Sequence, residues 1–249
     1  MMPTILIGGY YGAGNIGDES ILAAMIGELR GQRSDISFIV TSWNPEKTRA
    51  DLKVAAFYYN DINALLEAAL SADLIILGGG GIFHDYWGLD PDTYLRRGYW
   101  DLTFFGSMPL LAKLLDIPCM IYAVGVGPFQ SDLARQHTRL AFERCQIATV
   151  RDSESLEALK QTGFDVDNPR GPVVKILPDP VFSLTTTPTD DAEVDSFLEH
   201  LEISADTQLL GVSLRYWDLE CPLEEWLPYI ATSWESQLLL KVRDGGPDG

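Results

Sequence analysis

The stretch Ile5-Leu6-Ile7-Gly8-Gly9-Tyr10-Tyr11-Gly12-Ala13-Gly14-Asn15-Ile16-Gly17-Asp18-Glu19 decides the fold. Three consecutive aliphatic residues without polar alternation read as a strand buried on both faces, expected over Ile5 to Gly9. A glycine turn follows. From about Asp18, apolar residues recur at Ile21, Leu22, Met25, Ile26 and Leu29, the spacing of one helix face. Such a strand handing over to a helix opens a parallel sheet covered on both sides.

The alternation continues outward from this unit. Strands are expected at Ile36 to Thr41, Leu74 to Leu77, Met120 to Val124, Ile147 to Val150 and Val173 to Leu177. Helices are expected at Ile62 to Leu70, Leu102 to Leu115, Leu133 to Cys145 and Ser153 to Thr162, with Ser131 as an N-cap and Gly163 as a stop. The fold class is α/β, a doubly wound parallel Rossmann-like sheet over residues 1–182. Residues 183–206 read as a linker, Leu184 to Asp191, and a connecting helix around Val194 to Leu201. Residues 207–249 carry a strand at Leu209 to Leu214, a helix around Leu223 to Ile230 and a strand at Leu238 to Val242. Those elements cannot bury both faces of a sheet, so an incomplete, truncated second Rossmann-like domain is expected.

Composition narrows the function. Hydrophobic residues at 46% and charged residues at 22% exclude a disordered, collagenous or coiled-coil chain. Eighteen basic against 36 acidic residues give a net charge of −18, which excludes the basic stripe of a non-specific nucleic-acid binder and disfavours anionic membrane surfaces. Cys119, Cys145 and Cys221 lie far apart without the spacing of a disulfide framework or a zinc site, so no metal is expected and reduced thiols in a cytoplasm fit best. Met1 to Tyr10 lacks the basic start of a signal peptide, and the longest uncharged apolar run, Ile117 to Phe129, is too short and too rich in Gly and Pro to span a bilayer. Membrane insertion is not expected, and any membrane contact would be peripheral.

Ligands of open parallel sheets bind beyond the carboxyl ends of the strands, and the unusual residues of this sequence fall there. Gly12, Gly14 and Gly17 match the GxGxxG turn of dinucleotide sites. The acidic ribose partner is missing, however, because the second strand ends in Thr41-Ser42-Trp43-Asn44, and Asp18 and Glu19 in the first helical turn repel a phosphate. NAD and FAD are therefore not expected. The run Gly78 to Gly81, leading through Ile82 and Phe83 to His84 and Asp85, is expected as a loop that allows a close backbone approach, either to a ligand or within a tight turn. His84 is either a base or a polar loop residue. Arg151 is suited to clamp a carboxylate or phosphate, the alternative being an ion pair with Asp152 or Glu154. Arg215 repeats that argument in the second unit.

Together these segments resemble a family. Gly9-Tyr10-Tyr11-Gly12 through Asn15-Ile16-Gly17-Asp18-Glu19, Leu77-Gly78-Gly79-Gly80 to Asp85, Gly125-Val126-Gly127-Pro128, Val150-Arg151-Asp152-Ser153, Pro178-Asp179-Pro180 and Gly211-Val212-Ser213-Leu214-Arg215 are similar, in order, to the polysaccharide pyruvyl transferases. The resemblance implies a GT-B-like architecture of two Rossmann-like domains. It also implies transfer of the enolpyruvyl group of phosphoenolpyruvate to two hydroxyls of a cell-wall or extracellular polysaccharide precursor, forming a ketal, with no cofactor beyond the donor substrate. Arg151 and Asp18 are the implied catalytic residues, Arg151 on the donor and Asp18 shaping the site or taking sugar hydroxyls. Gly12, Gly14, Asn15, Gly17, Gly79, Gly80, Gly81, His84, Asp85, Gly125, Gly127, Ser153 and Arg215 are the implied substrate-binding set. The family's Arg-x-His segment, its general acid, has no counterpart among His84, His137 and His200, and His84 stands where an amide is expected. Two other readings use the same architecture: a sugar- or nucleotide-binding module without catalysis, and a glycosyltransferase using a nucleotide sugar.

Overall fold

The computed structural model describes residues 2–94, 101–185, 188–204, 210–215 and 238–243. The chain divides into two units, Met1–Leu184 and Thr185–Gly249.

In the first unit seven strands form one sheet: β1 (Thr4–Gly8), β2 (Ser37–Ser42), β3 (Ala55–Tyr58), β4 (Leu74–Phe83), β5 (Cys119–Val126), β6 (Ile147–Val150) and β7 (Val173–Ile176). Their order is β3-β2-β1-β4-β5-β6-β7 and every pairing is parallel. The chain winds from β1 outward to β3, then returns and winds the other way to β7. The order therefore reverses between β1 and β4, the place where such sheets open a crevice.

Helices α1 (Ile16–Gln32) and α2 (Pro45–Leu52) cover one face, and α3 (Ile62–Ser71), α4 (Leu102–Leu115), α5 (Asp132–Phe142) and α6 (Ser153–Gln161) the other. The two-residue side-chain period of a strand explains the division. Ile5 and Ile7 of β1 pack with Leu22, Met25 and Ile26 of α1, whereas Leu6 between them joins Leu65, Leu111, Phe142 and Leu159 on the opposite face. Both sides of β1 are buried, which is why it carries no polar alternation.

Several expectations are corrected here. α2 and β3 were not anticipated. α1 begins at Ile16, because Asn15 accepts a hydrogen bond from the Gly17 amide and caps the helix before Asp18 is reached. α5 ends at Phe142, where Arg144 and Cys145 bond back three residues to Ala141 and Phe142 instead of continuing the helix. The glycine run is not a loop. β4 continues through it to Phe83, because Gly80 and Gly81 pair with Val124 and Gly125 of the eight-residue β5.

In the second unit α7 (Pro188–His200) starts within the stretch expected as linker, and β8 (Leu210–Arg215) pairs in parallel with β9 (Leu238–Arg243). The helix expected around Leu223 to Ile230, and Cys221, lie outside the described residues.

Candidate functional site

The turn after β1 is closed on its own helix. Glu19, in the first turn of α1, reaches back so that its Oε1 accepts from the amides of Gly12 (2.8 Å) and Gly14 (3.3 Å). These are the amides that a dinucleotide phosphate would need, and a carboxylate already holds them. Gly12 sits at φ +80° with the Oγ of Ser42 only 2.0 Å from where a Cβ would stand, so its glycine serves the approach of the β2 end. Gly14 faces open space, and Gly17 lies in the helix cap. Beneath the turn Tyr11 is wholly buried, its hydroxyl donating to the Gly78 carbonyl. Burial first, and then the carboxylates of Asp18, Glu19 and Asp179, push the Tyr11 phenol well above its ordinary range, so it stays a donor.

Asp18 points from the helix start onto the glycine run. A Cβ on Gly80, which has φ +76°, would lie 2.4 Å from Asp18 Oδ1. Gly79 is covered by Ile21, and Gly81 is exposed. The run thus removes side chains from the strand where the Asp18 carboxylate must come close.

From the other side comes Arg151, which follows β6. Its guanidinium lies over Gly125, where a Cβ would be 2.8 Å from Cζ, and it reaches toward Gly81, 3.9 Å from that residue's Cβ position. Arg151 Nε is 3.4 Å from Asp152 Oδ2, and the Arg151 side chain is 41% exposed, so the ion pair is loose and the cation remains presented to solvent. Asp152 is held in place by capping α6, accepting from the Ser155 amide at 2.6 Å. Burial raises its carboxyl, but the Ser155 bonds and Arg151 outweigh that and the net shift is downward. Ser155, not singled out in the sequence, is buried and accepts from the Val126 amide, tying α6 to the end of β5.

Other expected residues have structural work. Asp85 is 4% exposed, and its carboxylate accepts from the Gln130 amide (2.7 Å), the Ser131 amide (2.9 Å) and the Ser131 hydroxyl (2.7 Å). It fastens the end of β4 to the start of α5. His84 is half-buried, its ring lies tilted against Tyr86 with centroids 4.5 Å apart, and its Nδ1 accepts from the Tyr86 amide. Gly127 precedes a cis Pro128 and packs against Ala158. Ser153 is the exposed first residue of α6. Arg215 ends β8, in the second unit, and its side chain lies outside the described residues.

What the first unit brings together at the carboxyl edge is a carboxylate against the buried Gly80 and a guanidinium over the buried Gly125, with the exposed Gly81 beside them. Among the described residues no group of three or more His, Cys, Asp or Glu side chains is placed to hold a metal ion, and no helix is long and apolar enough to cross a membrane. Cys119 and Cys145 are buried free thiols, and burial pushes Cys145 up to about 12.

The fold is similar to that of several solved structures. UDP-GlcNAc 2-epimerase from Neisseria meningitidis, bound to UDP-GlcNAc, is 12% identical with a TM-score of 0.54, over 98% of this chain and 67% of that one. A ugt transferase from Siraitia grosvenorii in complex with UDP is 11% identical with a TM-score of 0.52, over 99% and 64%. The wall teichoic acid polymerase TagF is 13% identical with a TM-score of 0.53, over 98% and 56%. The α/β Rossmann-like fold is thus that of GT-B glycosyltransferases and epimerases, and the chain spans between 56% and 67% of the length of these structures. No curated protein matches the chain significantly. The profile of the polysaccharide pyruvyl transferases matches residues 15–242, a span that runs from the cap of α1 through Asp18 and Arg151 into β9, and the chain belongs to that family.

Proposed function

We propose that this protein moves the enolpyruvyl group of phosphoenolpyruvate onto two hydroxyls of a sugar in a polysaccharide precursor, forming a ketal and releasing phosphate. The observation that carries the reading is the placing of unlike charges about one glycine surface, with Asp18 against Gly80 and Arg151 against Gly125 and Gly81. Phosphoenolpyruvate bears a carboxylate and a phosphate, which a guanidinium binds in a fork and a carboxylate repels. Arg151 therefore takes the donor and Asp18 the acceptor, as an oxygen that orients a sugar hydroxyl and receives its proton. Across the reaction two C–O bonds form at the enol carbon and its bond to the phosphate oxygen breaks. Of the two hydroxyl protons, one ends on the methylene carbon, which becomes methyl, and the other leaves with phosphate. Arg151 opposes the negative charge that grows on the departing phosphate. The exposed Gly81, which carries no side chain, leaves room for donor and acceptor to approach the backbone beside the two charges. The free thiols of Cys119 and Cys145 accord with a cytoplasmic setting.

A glycosyltransferase or a non-catalytic nucleotide module is less well supported, because Glu19 occupies the Gly12 and Gly14 amides that a diphosphate would take. The test is ligand-dependent stability followed by phosphate release. Phosphoenolpyruvate at 100 times its Kd should add about 2.7 kcal/mol, NAD and FAD nothing, and phosphate should be released only when an acetamido-sugar acceptor is also present. Stabilisation by a nucleotide sugar with none by phosphoenolpyruvate would overturn the reading in favour of glycosyl transfer.

A further inference from the structure

Away from Asp18 and Arg151, the same carboxyl edge carries a second feature at the ends of β2 and β3. Trp43 follows β2 and Tyr58 ends β3, and these large rings are 49% and 42% exposed. Behind them Tyr59 is buried, stacked under Trp43 at 5.1 Å and 18° and touching Phe104 edge-on at 5.6 Å. The backbone fixes this arrangement: the Trp43 amide donates to Tyr11 and the Tyr59 amide to Ser42, both at 2.9 Å. An open groove of about 440 Å³ runs beside the rings, with Asn44, Glu46 and Arg49 among its lining residues. Holding two large aromatic rings at the surface on a rigid base forgoes their burial, and ligand binding is a common reason for such exposure.

We propose that this groove binds one pyranose unit of the acceptor chain, distant from the unit that receives the pyruvyl group. The inference rests on the pyruvyl-transfer reading and assigns its acceptor a second point of contact. A pyranose presents C–H groups on its faces, which pack on aromatic rings, and hydroxyls at its rim, which suit the Glu46 carboxylate and the side-chain NH2 of Asn44, whose Oδ1 accepts from the Lys47 amide at 3.1 Å. A nucleoside diphosphate fits the groove less well. Arg49 is its lining cation, Nη1 of that guanidinium is bonded to the Ala56 carbonyl at 2.8 Å, and the Glu46 carboxylate shares the groove. The position along the edge sets the register. β2 is two strands from β4, where Asp18 meets Gly80, a lateral separation of about 10 Å at the usual strand spacing. A single pyranose cannot touch both places, whereas a chain lying along the edge can. The platform is also joined to the reactive turn: the Trp43 amide bonds to Tyr11, and Gly12 packs against Ser42.

The experiment is titration of the full chain, without phosphoenolpyruvate, against tetrasaccharides of glucose, mannose and N-acetylglucosamine, the matching monosaccharides, and UDP. Calorimetry and saturation-transfer NMR provide the readouts. At least one tetrasaccharide should bind more tightly than its monosaccharide. Trp43→Ala and Tyr58→Ala should each weaken that tetrasaccharide at least tenfold, and Trp43→Phe should restore part of the loss. Asp18→Asn should leave the Trp43-dependent part of binding in place. If no tetrasaccharide binds, if both alanine variants bind it normally, or if UDP alone binds in a Trp43-dependent way, the proposal is wrong. Phosphate release from phosphoenolpyruvate is measured separately. Its failure beside intact Trp43-dependent glycan binding would overturn pyruvyl transfer and leave the saccharide site standing.

Discussion

A Cβ on Gly125 would stand 2.8 Å from the Cζ of Arg151, so the guanidinium occupies space that only a glycine leaves open. Gly125 is buried but its φ is not positive, and the clash is with the far end of a flexible side chain. Gly125→Ala should therefore move Arg151 without straining the backbone. We expect its melting temperature to stay within a few degrees of the parent while phosphoenolpyruvate binding weakens as much as in Arg151→Ala. For Arg151→Ala and Arg151→Lys the expected loss in kcat/KM is at least tenfold, about 1.4 kcal/mol at the transition state, since an ammonium cannot reproduce the bidentate fork. Normal binding by Gly125→Ala would mean that the orientation of Arg151 does not matter.

Glu19 gives a second prediction, about stability. Its Oε1 is the acceptor for two loop amides, and Glu19→Ala leaves both without that partner. A buried donor left unsatisfied costs about 1–3 kcal/mol, and partial exposure of this loop puts the expected loss at the lower end of that range. Urea unfolding measures it. Glu19→Gln keeps an acceptor oxygen and should recover most of the difference.

Asp85 separates a structural from a substrate role. Three hydrogen bonds to a 4%-exposed carboxylate make it a clamp between β4 and α5. Asp85→Ala should cost on the order of 2–4 kcal/mol, through unsatisfied Gln130 and Ser131 donors. Phosphoenolpyruvate affinity of the folded protein should change less than threefold. A stable variant that loses affinity would instead support the substrate-binding role.

These residues also show what could be read from the chain. β1, β4 and α1 were legible because their apolar patterns are long and both faces of the sheet are covered. β3 was not, since Ala55-Ala56-Phe57-Tyr58 is four residues at a partly exposed sheet edge, and α2, Pro45 to Leu52, has one aliphatic side chain larger than alanine and hence no apolar stripe. The glycines of β4 were misread because glycine weakens strands; the pairing with β5 and the approach of Asp18 that justify them are contacts between distant segments. Arg151 stood out through its chemistry at a strand end, and Asp18 through the family resemblance. Glu19 did not, because an acid in a first helical turn looks like a partner for the helix dipole, and nothing in the spacing shows that it folds back onto Gly12. Ser155 was similarly hidden inside a helix of ordinary pattern.

The last prediction concerns pH. His137 on α5 meets the hydroxyl of Tyr94 through Nδ1 at 2.9 Å, joining the connection after β4 to the helix layer. Burial first, then Arg144, lowers the His137 pKa, with Asp101 opposing. In the unfolded chain the imidazole titrates near its ordinary value of about 6.5. Between that value and the lower folded one the unfolded state binds the proton and the folded state does not, so stability falls as pH falls through this window and levels off once the folded form is protonated as well. Carboxylates held by hydrogen bonds, such as Asp152, act in a lower window: their folded pKa is depressed, so the stability they contribute is present above the unfolded value near 3.9 and lost below it. The two are separable. His137→Gln should flatten the part of the stability profile just below pH 6.5 without altering the acid limb, and Asp152→Asn should do the reverse. Unfolding in urea at half-unit steps from pH 8 to 3 gives both profiles, and an unchanged slope in His137→Gln would show that another group titrates there.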